Sequence, residues 1–301
     1  MAETVTANSL LVLSDQLAGI VERTAGHVVA VHGGERGPSS GIHWRPGVIV
    51  TAEEMLERDE QVSVTLPNGN KVAAALAGRD PSTDIAVLRI EAEGLPVAEI
   101  GDADVLRAGN FVLVVGRHDG GPVASSGIVA FAGGAWQSMR GGTIDGLIRL
   151  DLALSPRAEG GALVDATGRV LGMAVSGPRR RVLAIPASTI ARTVDQLLAR
   201  GHIARGYLGA GLQRVDLAER GGAAATRGLL VASIDPEGPA ARAGLLVGDI
   251  VTAWNGAAAP RVRPLMRLLG ADSVGTEVAL TLLRGGATLK LPLLIGERPL
   301  A

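Results

Sequence analysis

The segment Asp80–Ile90 reads DPSTDIAVLRI, and it decides the fold together with Val50–Leu56 (VTAEEML) and Leu154–Val164 (LSPRAEGGALV). Each segment joins a run of aliphatic residues to a turn that contains Asp, Glu, Ser, Pro or Gly. Aliphatic and β-branched runs that are bounded by such turn residues are typical of short β-strands. The three segments are therefore predicted to belong to a β-rich region.

Short strands separated by glycine-rich turns continue on both sides of these segments. The turn Pro67-Asn68-Gly69-Asn70 joins two of them, and Asn-Gly is a strong hairpin signal. Strands at this spacing predict a β-barrel or a β-sandwich. The strands that we predict here are His27–His32, Val48–Thr51, Gln61–Leu66, Lys71–Leu76, Asp84–Ile90, Phe111–Val115, Ser126–Phe131, Leu147–Asp151, Gly161–Val164 and Val170–Val175.

Helices flank this β-rich region. Apolar residues recur at helical spacing over Leu10–Val21, which predicts an N-terminal amphipathic helix in residues 1–24, capped by Asn8 or Ser9. A second apolar stripe predicts a helix that is capped by Ser188 and ends at Gly201. The β-rich domain with this second helix occupies residues 25–200.

A second domain with mixed α and β patterns occupies residues 204–298. Its length of roughly 95 residues is typical of an independent domain. The predicted strands are Gly206–Leu212, Gly228–Ile234, Asp249–Asn255, Glu277–Arg284 and Thr288–Leu294, and the predicted helices are Pro239–Ala243 and Val262–Leu269.

Composition excludes several classes of protein. The net charge of −1 argues against a nucleic-acid binder held by phosphate contacts. The chain has no cysteine, which excludes disulfides, thiolate metal sites and a cysteine nucleophile. No segment approaches the roughly 18 apolar residues of a membrane span, and no secretory signal is evident. We therefore expect a cytoplasmic protein as the sequence stands, or a periplasmic one if a leader has been removed.

The three segments resemble motifs of the HtrA family, the DegP-like serine proteases with a trypsin-like fold. Val50–Leu56 resembles the family segment around the catalytic His, Asp80–Ile90 the segment with the catalytic Asp, and Leu154–Val164 the segment with the nucleophilic Ser. The resemblance covers roughly residues 25–298. It implies a mainly β fold, with a double six-stranded β-barrel followed by an α+β PDZ domain, and a role in protein quality control.

The chain departs from the family at the positions that carry the chemistry. Asp84 matches the orienting carboxylate, but Glu54 stands at the His position and Glu159 at the Ser position. Arg157 replaces the glycine whose amide normally points at the oxyanion. Nucleophilic catalysis needs a hydroxyl activated by an imidazole, and Glu159 supplies no hydroxyl. We therefore predict a pseudoprotease whose vestigial triad positions are Glu54, Asp84 and Glu159.

Other interpretations of these residues remain open. His43 is either a strand residue or a displaced base, and Ser155 is more typical of a turn than of a nucleophile. Asp84 can be structural and accept backbone amides. Three converging carboxylates would raise one another's pKa or recruit a cation, but a salt bridge between Glu159 and Arg157 is the simpler prediction. We therefore predict no metal and no cofactor.

The second domain matches the family's PDZ pattern closely. Gly206–Ala210 (GYLGA) resembles the carboxylate-binding loop, and Gly238–Ile250 resembles the conserved core motif of the domain. PDZ domains bind a peptide C-terminus as an added strand, with the terminal carboxylate on loop amides. The resemblance implies that these residues bind peptide: Tyr207, Leu208, Gly209, Ala210, Met266 and Leu269.

The predicted function is therefore peptide or protein binding through the PDZ domain of an inactive HtrA-like protein. The first alternative is a hydrolase that is active through a non-standard site or with an active paralogue in a hetero-oligomer. The second is an oligomeric scaffold or chaperone-like holder, such as a homo-trimer, with the apolar stripe of Leu10–Val21 as a contact surface. The expected partners are proteins or peptides, with no nucleic acid and no membrane span.

Overall fold

The computed structural model describes residues 2–35, 37–57, 62–138, 140–217, 226–259, 265, 268–270 and 273–299. The chain divides into two compact units, Met1–Ile203 and Ala204–Ala301. The first unit contains the regions predicted as 1–24 and 25–200, and the second contains the region predicted as 204–298. The exact bounds of these predicted domains stay predictions. No helix of the described residues is long and apolar enough to cross a membrane.

Six strands close the first barrel of the first unit in the order β1-β2-β3-β6-β5-β4. Alternate residues of each strand face different cores. Val29 and Val31 fill the barrel, whereas Val28 packs in a second cluster that also contains residues of the second barrel. This double burial explains why the strands have continuous apolar runs. The strands are β1 Val28–His32, β2 Ser39–Arg45, β3 Val48–Thr51, β4 Val62–Thr65, β5 Lys71–Asp80 and β6 Ile85–Ile90.

Six further strands close the second barrel in the order β11-β14-β13-β12-β7-β8. The predicted double six-stranded barrel is thereby confirmed. Two of the barrel strands were not predicted, β2 in the first barrel and β14 in the second, and neither was the short pair β9 and β10. The barrel strands are β7 Phe111–His118, β8 Gly121–Gly133, β11 Leu147–Asp151, β12 Ala162–Val164, β13 Val170–Gly177 and β14 Arg181–Pro186, and the short pair β9 Trp136–Gln137 and β10 Thr143–Ile144 lies between β8 and β11.

The two helices of the first unit differ in part from their predictions. Helix α1 spans Ala2–Ala25, so Asn8 and Ser9 lie inside it and do not cap it. The helix extends to residues before Asn8 because no proline interrupts that stretch of the sequence. Helix α2 spans Ala187–Arg200 and ends, as predicted, at Gly201 in the left-handed conformation. Ser188 is not its cap, because β14 runs directly into the helix through Pro186.

The second unit is built on an antiparallel sheet in the order β16-β17-β18-β20-β21, with β19 paired to β18. Leu280, Leu282 and Leu293 are fully buried in its core. Most of the predicted helix 262–269, including Met266, lies outside the described residues. The elements are β15 Gly206–Tyr207, β16 Ala210–Leu217, β17 Thr226–Ile234, α3 Pro239–Ala243, β18 Ile250–Trp254, β19 Ala257–Ala258, β20 Glu277–Arg284, β21 Ala287–Leu294 and β22 Gly296–Glu297.

Candidate functional site

Asp84 lies directly before β6, at the end of a tight turn. The Asp80 carboxylate fixes this turn, since it accepts hydrogen bonds from the Ser82 hydroxyl at 2.6 Å and the Thr83 hydroxyl at 2.7 Å. Asp84 itself has a φ of 58°, a left-handed conformation that Asp adopts more readily than most residues. The turn thus places the half-buried Asp84 carboxylate beside the segment that follows β3.

Glu54 meets Asp84 through its backbone. Glu53–Met55 forms a short 3₁₀ helix after β3, and the Glu54 N–H donates to Asp84 Oδ1 at 2.9 Å. The Glu54 side chain is exposed to solvent. Asp84 therefore has the structural role that the sequence left open, that of a carboxylate accepting a backbone amide.

The neighbouring Glu53 is a buried ion-pair partner. Its side chain is 8% exposed, and its Oε1 lies 2.6 Å from Nη2 of Arg79. Arg79 also donates to the Leu56 carbonyl at 2.9 Å, which ties the 3₁₀ helix to β5. This pair explains how the chain holds several carboxylates close together beside Asp84.

Glu159 turns its carboxylate into the protein. Glu159 follows the 3₁₀ helix Pro156–Ala158 and is 4% exposed. Its Oε2 accepts a hydrogen bond from the Ser176 hydroxyl at 2.7 Å, and its Oε1 accepts the Ser176 N–H. The predicted salt bridge to Arg157 is absent among the described residues, because the Arg157 side chain is exposed while Glu159 is buried. Ser176 was not predicted, since no local sequence signal marks it.

The backbone around Glu159 is occupied by internal hydrogen bonds. The Arg157 N–H donates to Ser155 Oγ at 3.3 Å, so Ser155 caps the 3₁₀ helix as a turn residue. The Glu159 N–H donates to the Pro156 carbonyl at 3.4 Å. By resemblance, the amide of Arg157 is one that would face an oxyanion in an active relative, whereas here it donates to Ser155 Oγ.

Contacts with the first barrel hold this loop in place. Ser40 on β2 donates its N–H to the Glu159 carbonyl at 2.8 Å and its hydroxyl to the Arg157 carbonyl at 2.6 Å. Gly160 has a φ of +78°, and a Cβ atom there would lie 2.4 Å from the Ser40 carbonyl oxygen. The close approach of the two barrels therefore requires glycine at this position.

The carboxylates of the site perturb one another. The pKa of Asp84 is raised to about 7, chiefly by burial and in addition by the charges of Glu54, Glu159 and Glu53, while the hydrogen bond from the Glu54 N–H opposes the rise. Burial also raises the pKa of Glu159, and the nearby Glu54 adds to this, although the bonds from Ser176 oppose it. Repulsion between the carboxylates therefore adds to the effect of burial at Asp84 and Glu159. No three His, Asp or Glu side chains of the described ranges are arranged to hold a metal ion.

A cavity of about 430 Å³ opens beside these residues. Glu54, Asp84 and Ser176 line one side of it. The rest of its wall combines apolar side chains with arginines that the sequence did not reveal as a group: Phe131, Trp136, Ile144, Leu183, Arg140, Arg149, Arg179 and Arg181. The turn that contains Pro178, Arg179 and Arg181 forms part of this wall.

Neither His43 nor His32 has the contacts of a catalytic base. His43 is 2% exposed, its Nδ1 lies 2.7 Å from the Pro96 carbonyl, and its Nε2 accepts the Gly47 N–H. Both ring nitrogens are thus used by the backbone. His32 lies near the hydroxyl of Thr65 and the carboxylate of Asp119, but both contact the same atom, Nε2, at 3.0 and 2.9 Å. A relay needs the hydroxyl and the carboxylate on different ring nitrogens.

The predicted peptide-binding loop of the second unit is held by its carbonyls. Leu208 accepts the Ala240 N–H at 2.7 Å, and Gly209 accepts the Asp235 N–H at 2.8 Å. Gly209 has a φ of +71°. No acceptor for the N–H groups of Leu208 and Gly209 occurs in the described part of the chain. The loop therefore presents unpaired amides.

The other predicted peptide-binding residues differ in their surroundings. Tyr207 donates its hydroxyl to Asp235 at 3.0 Å, and Ala210 pairs with Ile234 in the sheet. Leu269 is 7% exposed and belongs to the core. A small apolar cavity of about 10 Å³ lies beside the loop, and its lining includes Leu208, Ala210, Leu212 and Leu265.

Two family models match the chain. A trypsin-like peptidase domain matches residues 39–173, and a PDZ domain matches residues 206–295. A probable periplasmic serine endoprotease, DegP-like, from Brucella suis is 34% identical over 264 residues, covering 84% of this chain and 51% of the relative. The corresponding protein of Halomonas elongata is 32% identical over 262 residues, covering 84% and 55%. The chain thus spans about half the length of these curated relatives.

Solved structures agree with this architecture. The HtrA-type protease AlgW with a decapeptide has a TM-score of 0.74 and 27% identity, covering 94% of this chain and 99% of AlgW. The serine endoprotease from Yersinia pestis has a TM-score of 0.73 and 28% identity, covering 95% and 98%. The fold thus defines a trypsin-like peptidase domain joined to a PDZ domain. Together with its relatives, this shows that the chain belongs to the HtrA/DegP-like family.

Proposed function

We propose that this chain is an HtrA-type protein without peptidase activity, which binds the C-termini of peptides or proteins through its PDZ domain. The proposal is based on the identity and the hydrogen bonds of Glu159. This residue stands at the nucleophile position, has no hydroxyl, and uses its carboxylate to hold Ser176. Glu54 stands at the base position. The hydrogen bond that joins it to Asp84 is donated by the Glu54 backbone N–H and does not involve its side chain. Acyl transfer therefore lacks both the nucleophile and the base that it needs.

The loop before β16 supports the binding part of the proposal. The N–H groups of Leu208 and Gly209 have no acceptor among the described residues, and such amides bind a terminal carboxylate when a peptide adds to the sheet edge. The relative AlgW is described with a decapeptide.

Titration of a C-terminal peptide library against the intact chain, with casein cleavage followed in the same wells, tests the proposal. We expect binding without cleavage. Gly209→Val should abolish the binding, because its Cβ would lie 2.8 Å from Gly238 Cα beneath the loop. Gly256→Val is the matched control, since Gly256 also has a positive φ, of +80°, but faces open space. Casein cleavage by the wild type that is lost in Glu159→Ala would overturn the proposal.

A second candidate function is that of an oligomeric scaffold, including a homo-trimer or an assembly with an active paralogue. The exposed apolar residues of α1 favour it, since Leu10 is 65% and Leu11 61% exposed. Apolar surface of this kind is typical of a contact between protein chains. Light scattering during size-exclusion chromatography distinguishes a monomeric adaptor from a scaffold, and Leu10→Ser/Leu11→Ser should dissociate the scaffold.

We also propose a periplasmic location, because the relatives are described as periplasmic. The cytoplasmic location expected from the sequence has no such support. Cell fractionation of the native host tests this, and recovery of the protein with cytoplasmic markers would contradict it.

A further inference from the structure

An arginine lies in the middle of an apolar sheet face in the first unit. Arg149 on β11 is paired in register with Phe131 on β8 and with Leu183 on β14. Paired residues of antiparallel strands place their side chains on the same face of the sheet. Because the neighbouring Ile148 and Leu150 are buried in the core of the second barrel, this face is the outer one. Arg149 thus projects from the barrel between two large apolar side chains.

No acidic side chain neutralises Arg149. Its side chain is half-buried, and its guanidinium lies 5.7 Å from the centre of the Phe131 ring. It forms no ion pair with a carboxylate in the described part of the chain. A cation that loses water without gaining an acidic partner is unfavourable. A ligand that brings a carboxylate to this guanidinium would therefore gain a charge-assisted contact without breaking an existing ion pair.

The cavity of about 430 Å³ in the first unit covers this sheet face, and Arg149 lines it together with Phe131 and Leu183. Its volume is in the range of sites that bind small molecules. Three more arginines line the cavity: Arg140, Arg179 and Arg181.

The carboxylates of the same wall do not balance this charge. Glu54 and Asp84 are the lining carboxylates among the described residues. The pKa of Asp84 is raised to about 7, chiefly by burial, so Asp84 is mainly protonated at pH 6. The cavity is therefore positively charged at this pH, and its charge favours an anionic ligand.

The backbone beside the cavity is already engaged. Ser176, which lines the cavity at the end of β13, donates its N–H to Glu159 Oε1 and its hydroxyl to Glu159 Oε2 at 2.7 Å. A peptide that pairs with a strand needs such backbone donors. Glu159 thus favours a ligand that uses a cation and apolar contacts instead of backbone hydrogen bonds.

We propose that this cavity binds a small amphiphile with one carboxylate, of the medium-chain fatty acid class, whose carboxylate pairs with Arg149. Its alkyl chain packs against Leu183 and Trp136, which line the cavity. The inference goes beyond the proposed function, because it does not involve the PDZ loop. It also does not depend on the absence of peptidase activity, because such a ligand has no peptide bond.

Calorimetric titration of the intact chain at pH 6 with octanoate, 1-octanol and octyltrimethylammonium tests the inference. The probes share the alkyl chain and differ in the charge of the head group. We expect octanoate to bind about tenfold tighter than 1-octanol or more, as one charge-assisted contact predicts, and octyltrimethylammonium to bind more weakly than 1-octanol. Hexanoate should bind about tenfold more weakly than octanoate, because it buries two methylene groups fewer.

Fluorescence and a matched pair of variants assign the binding to the cavity. In a Trp44→Phe/Trp254→Phe background, octanoate should change the emission of Trp136, the tryptophan that remains. Arg149→Gln should reduce the affinity for octanoate to that for 1-octanol and leave the affinity for 1-octanol unchanged. Arg89→Gln, which removes an exposed arginine outside the cavity, should leave both affinities unchanged.

Three results would overturn the inference. They are equal affinity of the wild type for octanoate and 1-octanol, no binding of either, and a preference for octanoate that survives Arg149→Gln in a variant with wild-type thermal unfolding. The comparison of the probes on the wild type does not need this variant, so it decides the inference even where Arg149→Gln is unstable. Binding of C-terminal peptides and cleavage of casein are measured separately, so their outcome does not affect this test.

Discussion

Replacement of Asp84 by asparagine should stabilise the first unit at neutral and alkaline pH. Asparagine keeps an oxygen that accepts the Glu54 N–H, and it tolerates the φ of 58° as aspartate does. The substitution therefore removes the charge and little else. Burial and three neighbouring carboxylates raise the pKa of Asp84 to about 7, so the charged form is unfavourable in the folded state.

The sign and the magnitude follow from the difference in proton binding. The folded pKa of about 7 lies above the ordinary value of 3.8, so the folded protein binds more protons between these pH values. The stability of the wild type is then greatest below the unfolded pKa and falls as the pH rises to about 7. The difference between the folded and the unfolded pKa of Asp84 corresponds to roughly 4 kcal/mol of unfolding free energy, at about 1.4 kcal/mol per pKa unit. Solvent screening of the half-buried group reduces the expected loss to about 2–4 kcal/mol.

Urea unfolding at pH 4 and pH 8 measures this loss. In a Trp254→Phe background the fluorescence reports Trp44 and Trp136, which both lie in the first unit. We expect Asp84→Asn and its parent to unfold at similar urea concentrations at pH 4, and the variant to unfold roughly 1 M higher at pH 8. Asp104→Asn, at an exposed position, is the control. A difference between Asp84→Asn and its parent that does not change from pH 4 to pH 8 would refute the raised pKa.

Two further substitutions test the contacts that hold each unit together. Asp249→Asn should lower the thermal stability of the second unit by about 1–3 kcal/mol at pH 7, because the buried Asp249 accepts hydrogen bonds from Arg284 at 2.7 and 2.8 Å. Arg284 lowers the pKa of Asp249, so the difference should shrink as the pH falls through that lowered pKa. Ser40→Ala should destabilise the first unit by about 1–3 kcal/mol, seen in urea unfolding, because it leaves the Arg117 N–H without its acceptor.

Sequence reasoning predicted the double barrel and the PDZ domain because their signals are local and repeated. The Asn68-Gly69 hairpin joins β4 and β5 as predicted, with Gly69 in the left-handed region. Strand β2 escaped prediction, because it is buried along nearly its whole length and lacks the alternation that marks a strand with one solvent face. The prediction that Ser188 caps α2 was wrong, because it assumed a loop before the helix, where the chain has strand β14.

The site was predictable in its positions and not in its contacts. The resemblance placed Glu54, Asp84 and Glu159 in one region, and the contribution of the Glu54 charge to the raised pKa of Asp84 and of Glu159 agrees with this. The partner of Glu159 was predicted as Arg157, two residues away, whereas the structure gives Ser176 on another strand. Contacts between distant strands depend on register, which sequence patterns fix only approximately.

Restoration of the two missing side chains should not restore cleavage. Glu54→His/Glu159→Ser would supply a base and a hydroxyl beside Asp84. The loop would still hold the Arg157 N–H against Ser155 Oγ, within a 3₁₀ helix that Ser40 fixes from the first barrel. An oxyanion would then lack one of its donors, and loss of one donor typically costs about 10²–10³ in turnover.

A third substitution tests this explanation directly. Arg157→Gly in the double variant frees the loop to change conformation, because glycine adopts backbone angles that arginine does not. Casein cleavage by the triple variant should exceed that of the double variant by about 10²–10³. Arg179→Gly is the matched control, since it introduces a glycine at another cavity turn without touching the oxyanion loop. If the explanation is wrong, the double variant does not cleave more slowly than the triple variant. Casein cleavage by the double variant that the third substitution does not increase would show that the loop conformation does not limit the reaction, and that the loss of Ser and His alone accounts for inactivity.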